Sequence, residues 1–283
     1  MKKLEKLFFI GIIAIITITL AGCNGTKKEE NKIKVEKNPV ATMVVEYTDA
    51  TGEKKEGTIK LELYPNDAPI TVANFVNLSN NGFYNGLKFH RIIDNFMIQG
   101  GDPKGDGTGS ASRSDLDKNI EKGSSDDYKY CIKGEFQLNG VENPVEYEAG
   151  TLAMARGDYT SLGMAEEGYN SGCSQFFIVN SEDVQVKASL EGRYTAFGKV
   201  IEGYDVVTAI SKTEVQSNAA TAEMSSPKVA PIIKSVTVET FGYTYDIPEI
   251  INGDEQQKKV QQKYLQLYMN QYSNSNTHTH DEE

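Results

Sequence analysis

Residues 89–102 bring together side chains that can bind and polarise an organic group. Within this stretch the chain offers one guanidinium, one large aromatic ring, one thioether and one amide, at Arg91, Phe96, Met97 and Gln99. The stretch holds no nucleophile. Such a set suits the binding of an apolar group beside a peptide carbonyl better than it suits bond cleavage.

The alternation of side chains along a strand decides which of these groups share a side. It places Arg91 with Phe89 and Ile93, and His90 with Ile92 on the other side. A permanent cation then lies among apolar neighbours. The competing interpretation is a solvated Arg91 beside ordinary core residues. A lone histidine in a strand is more often structural than catalytic, so His90 is left out of the predicted site.

Length, composition and charge narrow the class of protein. The chain has 283 residues with 39% hydrophobic and 24% charged residues, which suits one large globular domain or two small ones. A net charge of -11 disfavours nucleic acid as a partner. Three cysteines are too few and too scattered for a disulfide framework or a zinc site. Cys131 and Cys173 could pair outside the cell, but their spacing cannot place them within bonding distance.

The N-terminus resembles a bacterial lipoprotein signal. Three lysines precede an apolar run, residues 7–20, that is short for a membrane span and ends in Leu-Ala-Gly-Cys. We predict that residues 1–22 are a signal peptide and that Cys23 is lipidated; an ordinary signal peptide is the alternative. Residues 23–39 are predicted to be a solvated tether. The protein is then expected on the extracytoplasmic face of the cell membrane, held by its lipid.

Hydrophobic patterning predicts an antiparallel β-domain over residues 40–242. Two runs alternate apolar with polar residues and indicate a hairpin with one buried face, at Met43, Val45, Tyr47, Ile59, Leu61 and Leu63. A helix with Asp67 as its cap and Pro69 in its first turn follows, and Tyr204, Val207 and Ile210 mark a second. About eight strands without a β-α-β rhythm predict a closed eight-stranded antiparallel barrel capped by two α-helices.

The remaining segments carry weaker signals. The glycines of residues 100–109 predict a tight surface loop rather than a phosphate cradle, since no Gly-Lys-Ser/Thr sequence or G-x-G-x-x-G spacing is present. Residues 110–128 are predicted to be a mobile surface insertion. In the extension 243–283, Asp254 is expected to cap a helix, with disorder beyond Gln271. The apolar residues on one face of this helix are Val260, Tyr264, Leu267 and Tyr268. His278 and His280 could bind a metal weakly, but a disordered tail is favoured, so no metal site is predicted.

Several blocks resemble the signatures of the cyclophilin-type peptidyl-prolyl cis-trans isomerases. They fall in the family's order over roughly residues 40–242: FHRII with FMIQGGD, then GTLAMA, then SQFFI. The sequence DAP followed by NF, residues 67–75, is similar too. This resemblance implies the same eight-stranded barrel with two capping helices, and a peptide groove on its outside.

The resemblance also implies the roles of particular residues. Arg91 corresponds to the catalytic arginine, with Gln99 beside it as the second catalytic group and a contact to the substrate backbone. The proline-ring pocket corresponds to Phe96, Met97, Phe177 and Leu190, and further backbone contacts to Ala155 and Arg156. Tyr194 stands where eukaryotic members have a pocket histidine, and its phenol can still hydrogen-bond. Ser189 stands where many members have Trp, which removes one wall of the groove, and Arg156 stands where Asn is common.

The resulting hypothesis is a lipid-anchored prolyl isomerase that needs no cofactor and acts as a monomer. Its partners are proline-containing unfolded or flexible polypeptides, in particular secreted or surface proteins that fold outside the membrane. A non-catalytic proline-peptide-binding module on the same barrel is the second hypothesis, made plausible by Ser189 and Tyr194. A transporter's solute-binding lipoprotein is the third, although it would call for α/β repeats that the sequence lacks.

Overall fold

The computed structural model describes residues 34–277, and side chains as far as residue 271. The predicted signal peptide, Cys23, most of the tether, His278 and His280 lie outside the described residues. From Val35 onward the chain belongs to one compact unit. Over the described range, none of the helices combines the length and the apolar character that a membrane span requires.

An antiparallel sheet of eight strands organises the domain, in the spatial order β11-β1-β2-β8-β6-β7-β4-β3. The alternating apolar residues of the first hairpin are buried on one face, as predicted, because successive side chains point to opposite sides of a strand. The strands of this sheet are β1 (Val40–Thr48), β2 (Lys54–Leu63), β3 (Arg91–Ile93), β4 (Met97–Gly100), β6 (Thr151–Met154), β7 (Phe176–Val179), β8 (Ala196–Glu202) and β11 (Ile232–Glu239).

The sheet is curled into a half-barrel, so the prediction of a closed barrel is wrong. Its two end strands, β11 and β3, are not paired with each other in a ladder. Since β3 begins only at Arg91, the chain just before it reaches β11 through isolated contacts. Lys88 forms a single bridge with Ile232, and the amide of Phe89 donates to the Pro231 carbonyl at 3.0 Å.

The main hydrophobic core lies on one face of this sheet, under two helices. Helix α1 (Pro69–Asn80) and helix α5 (Tyr204–Ser211) bury their apolar stripes there, as the sequence predicted for both segments. Phe75 of α1 lies at the centre, with its ring centroid 5.1 Å from Tyr84, 5.8 Å from Phe176 and 5.5 Å from Phe197. The opposite face of the sheet remains available for a separate, smaller apolar cluster.

Helix α1 is capped by a distant carboxylate rather than by Asp67. Its N-cap residue is Ala68, which cannot accept a hydrogen bond through its side chain. Glu135, only 3% exposed, accepts from the Ile70 and Thr71 amides at 2.9 Å each and from the Thr71 hydroxyl at 2.7 Å. A negative charge at a helix N-terminus is favourable because the first amides there have no partner within the helix.

The smaller elements lie around this sheet. They are α2 (Arg113–Leu116), β5 (Tyr130–Cys131), α3 (Ala165–Tyr169), α4 (Val184–Leu190), β9 (Val215–Ser217), β10 (Met224–Pro227), β12 (Ile251–Asn252) and α6 (Gly253–Thr277). The segment 110–128 is more than a surface insertion, because Ala111 and Leu116 join the main core. Leu190 ends a helix that the sequence did not predict.

The C-terminal extension is helical further than predicted. Helix α6 runs to Thr277 instead of ending near Gln271. Its first turn is capped by Asn252, whose side-chain oxygen accepts from the Glu255 amide at 3.0 Å, whereas Asp254 accepts from the Lys129 amide at 3.2 Å. Of the predicted apolar face, Val260 is buried, and Tyr264, Leu267 and Tyr268 are exposed.

The capping carboxylate gives a stability prediction. Replacing Glu135 by Ala leaves buried donors of α1 without a partner and should lower the free energy of unfolding by about 3 kcal/mol. Asp183→Ala is the matched control, because Asp183 caps α4 through one exposed hydrogen bond to the Gln185 amide at 2.7 Å. The control should cost about 1 kcal/mol. Urea unfolding measures both, and equal losses would contradict the assigned role of Glu135.

Candidate functional site

The register of four strands assembles one row of side chains on the sheet face away from the main core. Arg91 of β3 pairs with Gln99 of β4, Gln99 pairs with Phe177 of β7, and Phe177 pairs with Ala153 of β6. Directly opposed residues of antiparallel strands point to the same face. The four side chains therefore form a continuous strip, and Met97 joins it from two positions along β4.

This strip forms part of a pocket of about 120 Å³. The residues that line the pocket are the nine that the sequence predicted: Arg91, Phe96, Met97, Gln99, Ala155, Arg156, Phe177, Leu190 and Tyr194. Met97, Phe177 and Leu190 are almost wholly buried and belong to the smaller apolar cluster. The pocket thus has an apolar floor, with a guanidinium, an amide and a phenol among its other lining groups.

The turn between β3 and β4 sets the position of Phe96. Asn95 adopts a φ of 57°, a left-handed conformation that asparagine tolerates better than most residues. The turn is closed by the Phe96 amide, which donates to the Ile93 carbonyl at 3.1 Å, and the Phe96 carbonyl accepts from Asn180 at 2.8 Å. As a result the Phe96 ring lies beside Arg91, whose Cζ is 5.9 Å from the ring centroid.

Two sets of hydrogen bonds hold the Arg91 guanidinium. Its Nη1 is directed toward Met97 Sδ at 3.7 Å and donates to Gln99 Oε1 at 3.3 Å. Its Nε and Nη2 donate to the two carboxylate oxygens of Glu223, at 2.7 and 2.8 Å. Hydrogen bonding to Arg91 holds the pKa of the Glu223 carboxyl below its usual 4.5. The cation is therefore paired on one edge and faces the pocket with the other.

A chain of amides connects this cation to the glycine-rich loop. Gln99 Nε2 donates to Gln175 Oε1 at 2.9 Å, and Gln175 Nε2 donates to the carbonyls of Gly107 and Gly109 at 3.1 and 2.8 Å. The loop is held by the buried Asp102, which accepts three backbone amides. Its positive φ angles occur at Gly101, Gly105 and Gly107, as expected for a tight loop. The loop thus orients Gln99 through Gln175.

Arg156 is held by three aromatic rings and two carbonyls. Its Cζ lies 4.7 Å from the Tyr194 ring centroid, 5.2 Å from Tyr169 and 5.3 Å from Phe136. Its Nε donates to the Arg193 carbonyl, and its Nη1 to the Gly157 carbonyl, at 2.8 Å each. These contacts hold the Arg156 side chain in place, and it forms one wall of the pocket.

Another wall of the pocket is aromatic. Tyr194 packs edge-on against Phe177, with the ring centroids 5.6 Å apart and the planes at 89°. Its backbone carbonyl accepts from the Tyr147 hydroxyl at 3.0 Å. Ser189 is exposed and returns its hydroxyl to the Val186 carbonyl, so it does not line the pocket.

The predicted alternation of side chains between the two faces is correct within β3 and wrong for Phe89, just before the strand. Arg91 and Ile93 face the smaller apolar cluster, whereas Ile92 is buried in the main core. Phe89 was predicted on the side of Arg91, but it packs in the main core with its ring centroid 6.0 Å from Phe176. The regular alternation begins at Arg91, so parity counted from Phe89 gives the wrong side.

The other candidate groups have no place in this pocket. Within residues 34–277, no group of three or more histidine, cysteine or acidic residues could hold a metal ion. The two cysteines of that range, Cys131 and Cys173, are free thiols. Burial raises the pKa of Cys131 to about 12 and of Cys173 to about 11, so both remain protonated at neutral pH and are poor nucleophiles.

Sequence reasoning missed two residues that act on Arg91. The sequence did offer a signal for Gln175, since it lies in the SQFFI block two residues before Phe177. Glu223 had no signal in the sequence, because nothing in its local pattern distinguishes it from other surface acids. Only the packing of the β9–β10 hairpin against β3 brings it to the guanidinium.

An apolar pocket with a guanidinium on its rim, on a curled eight-stranded antiparallel sheet, defines a cyclophilin-like protein. Comparisons with known proteins agree. Residues 47–238 match the family model described as cyclophilin type peptidyl-prolyl cis-trans isomerase/CLD. The chain belongs to this family.

Individual relatives are similar over the same domain. Peptidyl-prolyl cis-trans isomerase B of Bacillus subtilis is 40% identical over 157 residues, which cover 56% of this chain and 85% of the relative. The peptidyl-prolyl cis-trans isomerase of Synechococcus elongatus is 41% identical over 152 residues, covering 54% and 79%. A crystal structure of a Cryptosporidium parvum cyclophilin in the presence of the dipeptide Ala-Pro has a TM-score of 0.48 at 26% identity, covering 69% of this chain and 98% of that chain.

His90, which precedes Arg91 in the sequence, gives a pH prediction. It is 7% exposed, and neither ring nitrogen has a hydrogen-bond partner among residues 34–277. Burial lowers its pKa below the usual 6.5, with Asp102 opposing the shift. The unfolded chain therefore binds more protons as pH falls through 6.5, so stability falls toward acid pH.

We expect the wild-type protein to lose more unfolding free energy between pH 7 and about pH 5.5 than a His90→Gln variant does. Urea unfolding at both pH values measures the difference. Identical pH dependence in the two proteins would contradict the buried, neutral state of His90.

Proposed function

We propose that this chain catalyses the cis-trans isomerisation of X-Pro bonds in unfolded or flexible polypeptides. The observation that carries the proposal is the position of Arg91, whose Nη1 faces an apolar pocket formed by Phe96, Met97 and Phe177. A proline ring is an apolar group of a size that suits such a pocket. The amide bond before it would lie at the rim, next to the guanidinium.

The energetic demand on the enzyme is modest. Rotation about an X-Pro amide is opposed by a barrier of about 18–20 kcal/mol, because twisting breaks the amide resonance. Uncatalysed exchange takes tens to hundreds of seconds. A turnover of about 10 per second requires the barrier to fall by roughly 4 kcal/mol. This is within reach of binding and electrostatics alone, without an acid, a base, a nucleophile or a cofactor.

Two features of the pocket supply that stabilisation. The apolar floor holds the ring while the rest of the peptide rotates. In the twisted state the prolyl nitrogen regains its lone pair, and a donor aimed at it stabilises that state more than the planar one. Arg91 is this donor, since its guanidinium stays protonated. In this proposal Gln99 and the backbone carbonyl of Ala155 hydrogen-bond the substrate backbone.

We further propose that the protein acts outside the membrane on secreted or surface proteins. The support is the sequence before the domain, where a basic head, an apolar run and Cys23 resemble a lipoprotein signal. A lipid anchor on Cys23 would hold the domain at the extracytoplasmic face, where newly exported chains fold. One chain supplies all nine residues of the pocket, so we propose that it works as a monomer.

The role of Arg91 is testable by deletion of its side chain. Arg91→Ala should reduce isomerisation of a short X-Pro peptide by at least about a hundredfold, because a transition-state donor is lost. Arg113→Ala is the matched control. This arginine also stacks on an aromatic ring, with Cζ 5.0 Å from the Tyr128 centroid, but it does not line the pocket. The control should keep the wild-type rate in a protease-coupled assay.

The same experiment separates catalysis from simple binding. If the wild-type chain binds the X-Pro peptide but does not accelerate its isomerisation, the chain is a proline-peptide-binding module. If Arg91→Ala isomerises at a near-normal rate, the pocket acts without its guanidinium and the proposed mechanism is wrong.

The anchor is testable through Cys23. In a bacterial host with a lipoprotein pathway, the full chain should fractionate with membranes and incorporate labelled palmitate, while Cys23→Ser should lose the label. Cys131→Ser is the matched control and should keep it. A labelled Cys23→Ser variant, or an unlabelled wild type, would refute the anchor without affecting the proposed enzymatic activity.

A further inference from the structure

Glu223 contacts the Arg91 guanidinium from a turn outside the eight-stranded sheet. It is the last residue before β10, at the end of the turn that follows β9. The Glu223 carbonyl accepts from the Asn218 amide at 2.7 Å, and the Asn218 side chain accepts from the Ala220 amide at 2.8 Å. The turn also includes Ala222, with a φ of 59°. The turn is thus held by its own hydrogen bonds in addition to the contact between Glu223 and Arg91.

The contact is bidentate and uses one edge of the guanidinium. Oε2 of Glu223 accepts from Nε at 2.7 Å, and Oε1 accepts from Nη2 at 2.8 Å. Two parallel charge-assisted bonds fix the plane of the guanidinium as well as its position. Because Nε and Nη2 are occupied on that edge, Nη1 is directed toward Met97 Sδ and Gln99 Oε1.

This orientation has a physical cost that Glu223 offsets. A free arginine side chain has many accessible rotamers, so an unpaired Arg91 would occupy several orientations. The weak contact with Met97 and the 3.3 Å hydrogen bond to Gln99 are poor anchors on their own. The pair is partly exposed, at 31% for Arg91 and 37% for Glu223, so it adds little to overall stability. The main effect of the pair is on the orientation of the Arg91 guanidinium.

We propose that Glu223 is a positioning residue for the isomerisation: it holds Arg91 with Nη1 turned into the pocket. This inference rests on the proposed role of Arg91. Glu223 itself contacts the arginine rather than the reacting bond. Loss of Glu223 should therefore lower the rate at which the bound substrate isomerises and leave substrate binding nearly unchanged.

The test compares kcat and KM in variants of Glu223 and of a second glutamate on the same hairpin. Glu214 forms an ion pair with Lys228, away from the pocket, so Glu214→Ala is the matched control. Exchange NMR on an X-Pro peptide gives the two constants separately. Glu223→Ala should lower kcat about tenfold with KM within about twofold, because a small misplacement of a catalytic group is costly.

Two further measurements distinguish positioning from a purely structural role. Glu223→Gln keeps one acceptor and should recover part of kcat, and it replaces the Ala variant if that protein does not fold. The Arg91 Nε–H signal in a nitrogen-15 spectrum should exchange slowly in the wild type and in Glu214→Ala. In Glu223→Ala it should exchange rapidly with solvent.

The outcomes are separable. An unchanged or higher kcat in Glu223→Ala, or an equal loss in Glu214→Ala, overturns the positioning role. If Arg91→Ala is also near normal, the proposed mechanism has failed. If Arg91→Ala is inactive while both Glu223 variants are normal, only the role of Glu223 is wrong.

Discussion

The register of four short strands is the constraint on which the rest of the molecule depends. Because side chains alternate, one set of residues on β3, β4, β7 and β6 fills the core while the other set forms the pocket. Ile92 and Ile98 lie on the first face; Arg91, Gln99 and Phe177 lie on the second. A slip of one residue would exchange the faces and bury the guanidinium. The stability of the core therefore also fixes the geometry of the site.

The charges of the two arginines in this pocket are stabilised by partners in the protein rather than by full exposure to water. An arginine beside apolar side chains needs partners for its donors, since burial of an unpaired charge is unfavourable. Arg91 shares its donors between Glu223 and Gln99, and Arg156 uses aromatic rings and carbonyls. One guanidinium keeps a donor directed into the pocket, and the other has become part of the wall. The two cations therefore have different roles in the same small space.

The pocket combines an apolar floor with one guanidinium donor directed into it, and this suits a reaction without covalent chemistry. A barrier reduction of roughly 4 kcal/mol needs one well-aimed donor and a fixed ring. In the proposed mechanism two supporting contacts orient the donor: the amide chain from the glycine-rich loop through Gln175, and the carboxylate from the β9–β10 hairpin. In the proposed mechanism, rigid placement of the donor matters more than the number of polar groups.

The sequence alone predicted the first hairpin and the two helices on the core and, through its resemblance to the cyclophilins, the residues that line the pocket. The hairpin and the helices follow from short local patterns, in which period and residue type are visible within one element. The pocket residues were predicted from the sequence blocks that resemble the family. The tertiary structure decided the open edge of the sheet, the Glu135 cap of α1 and the Glu223 contact with Arg91. Glu135 lies 64 and 65 residues from the two amides that it caps, and Glu223 lies 132 residues from Arg91. Such contacts leave no periodic trace, because a polar side chain finds a distant partner only after the chain between them has folded.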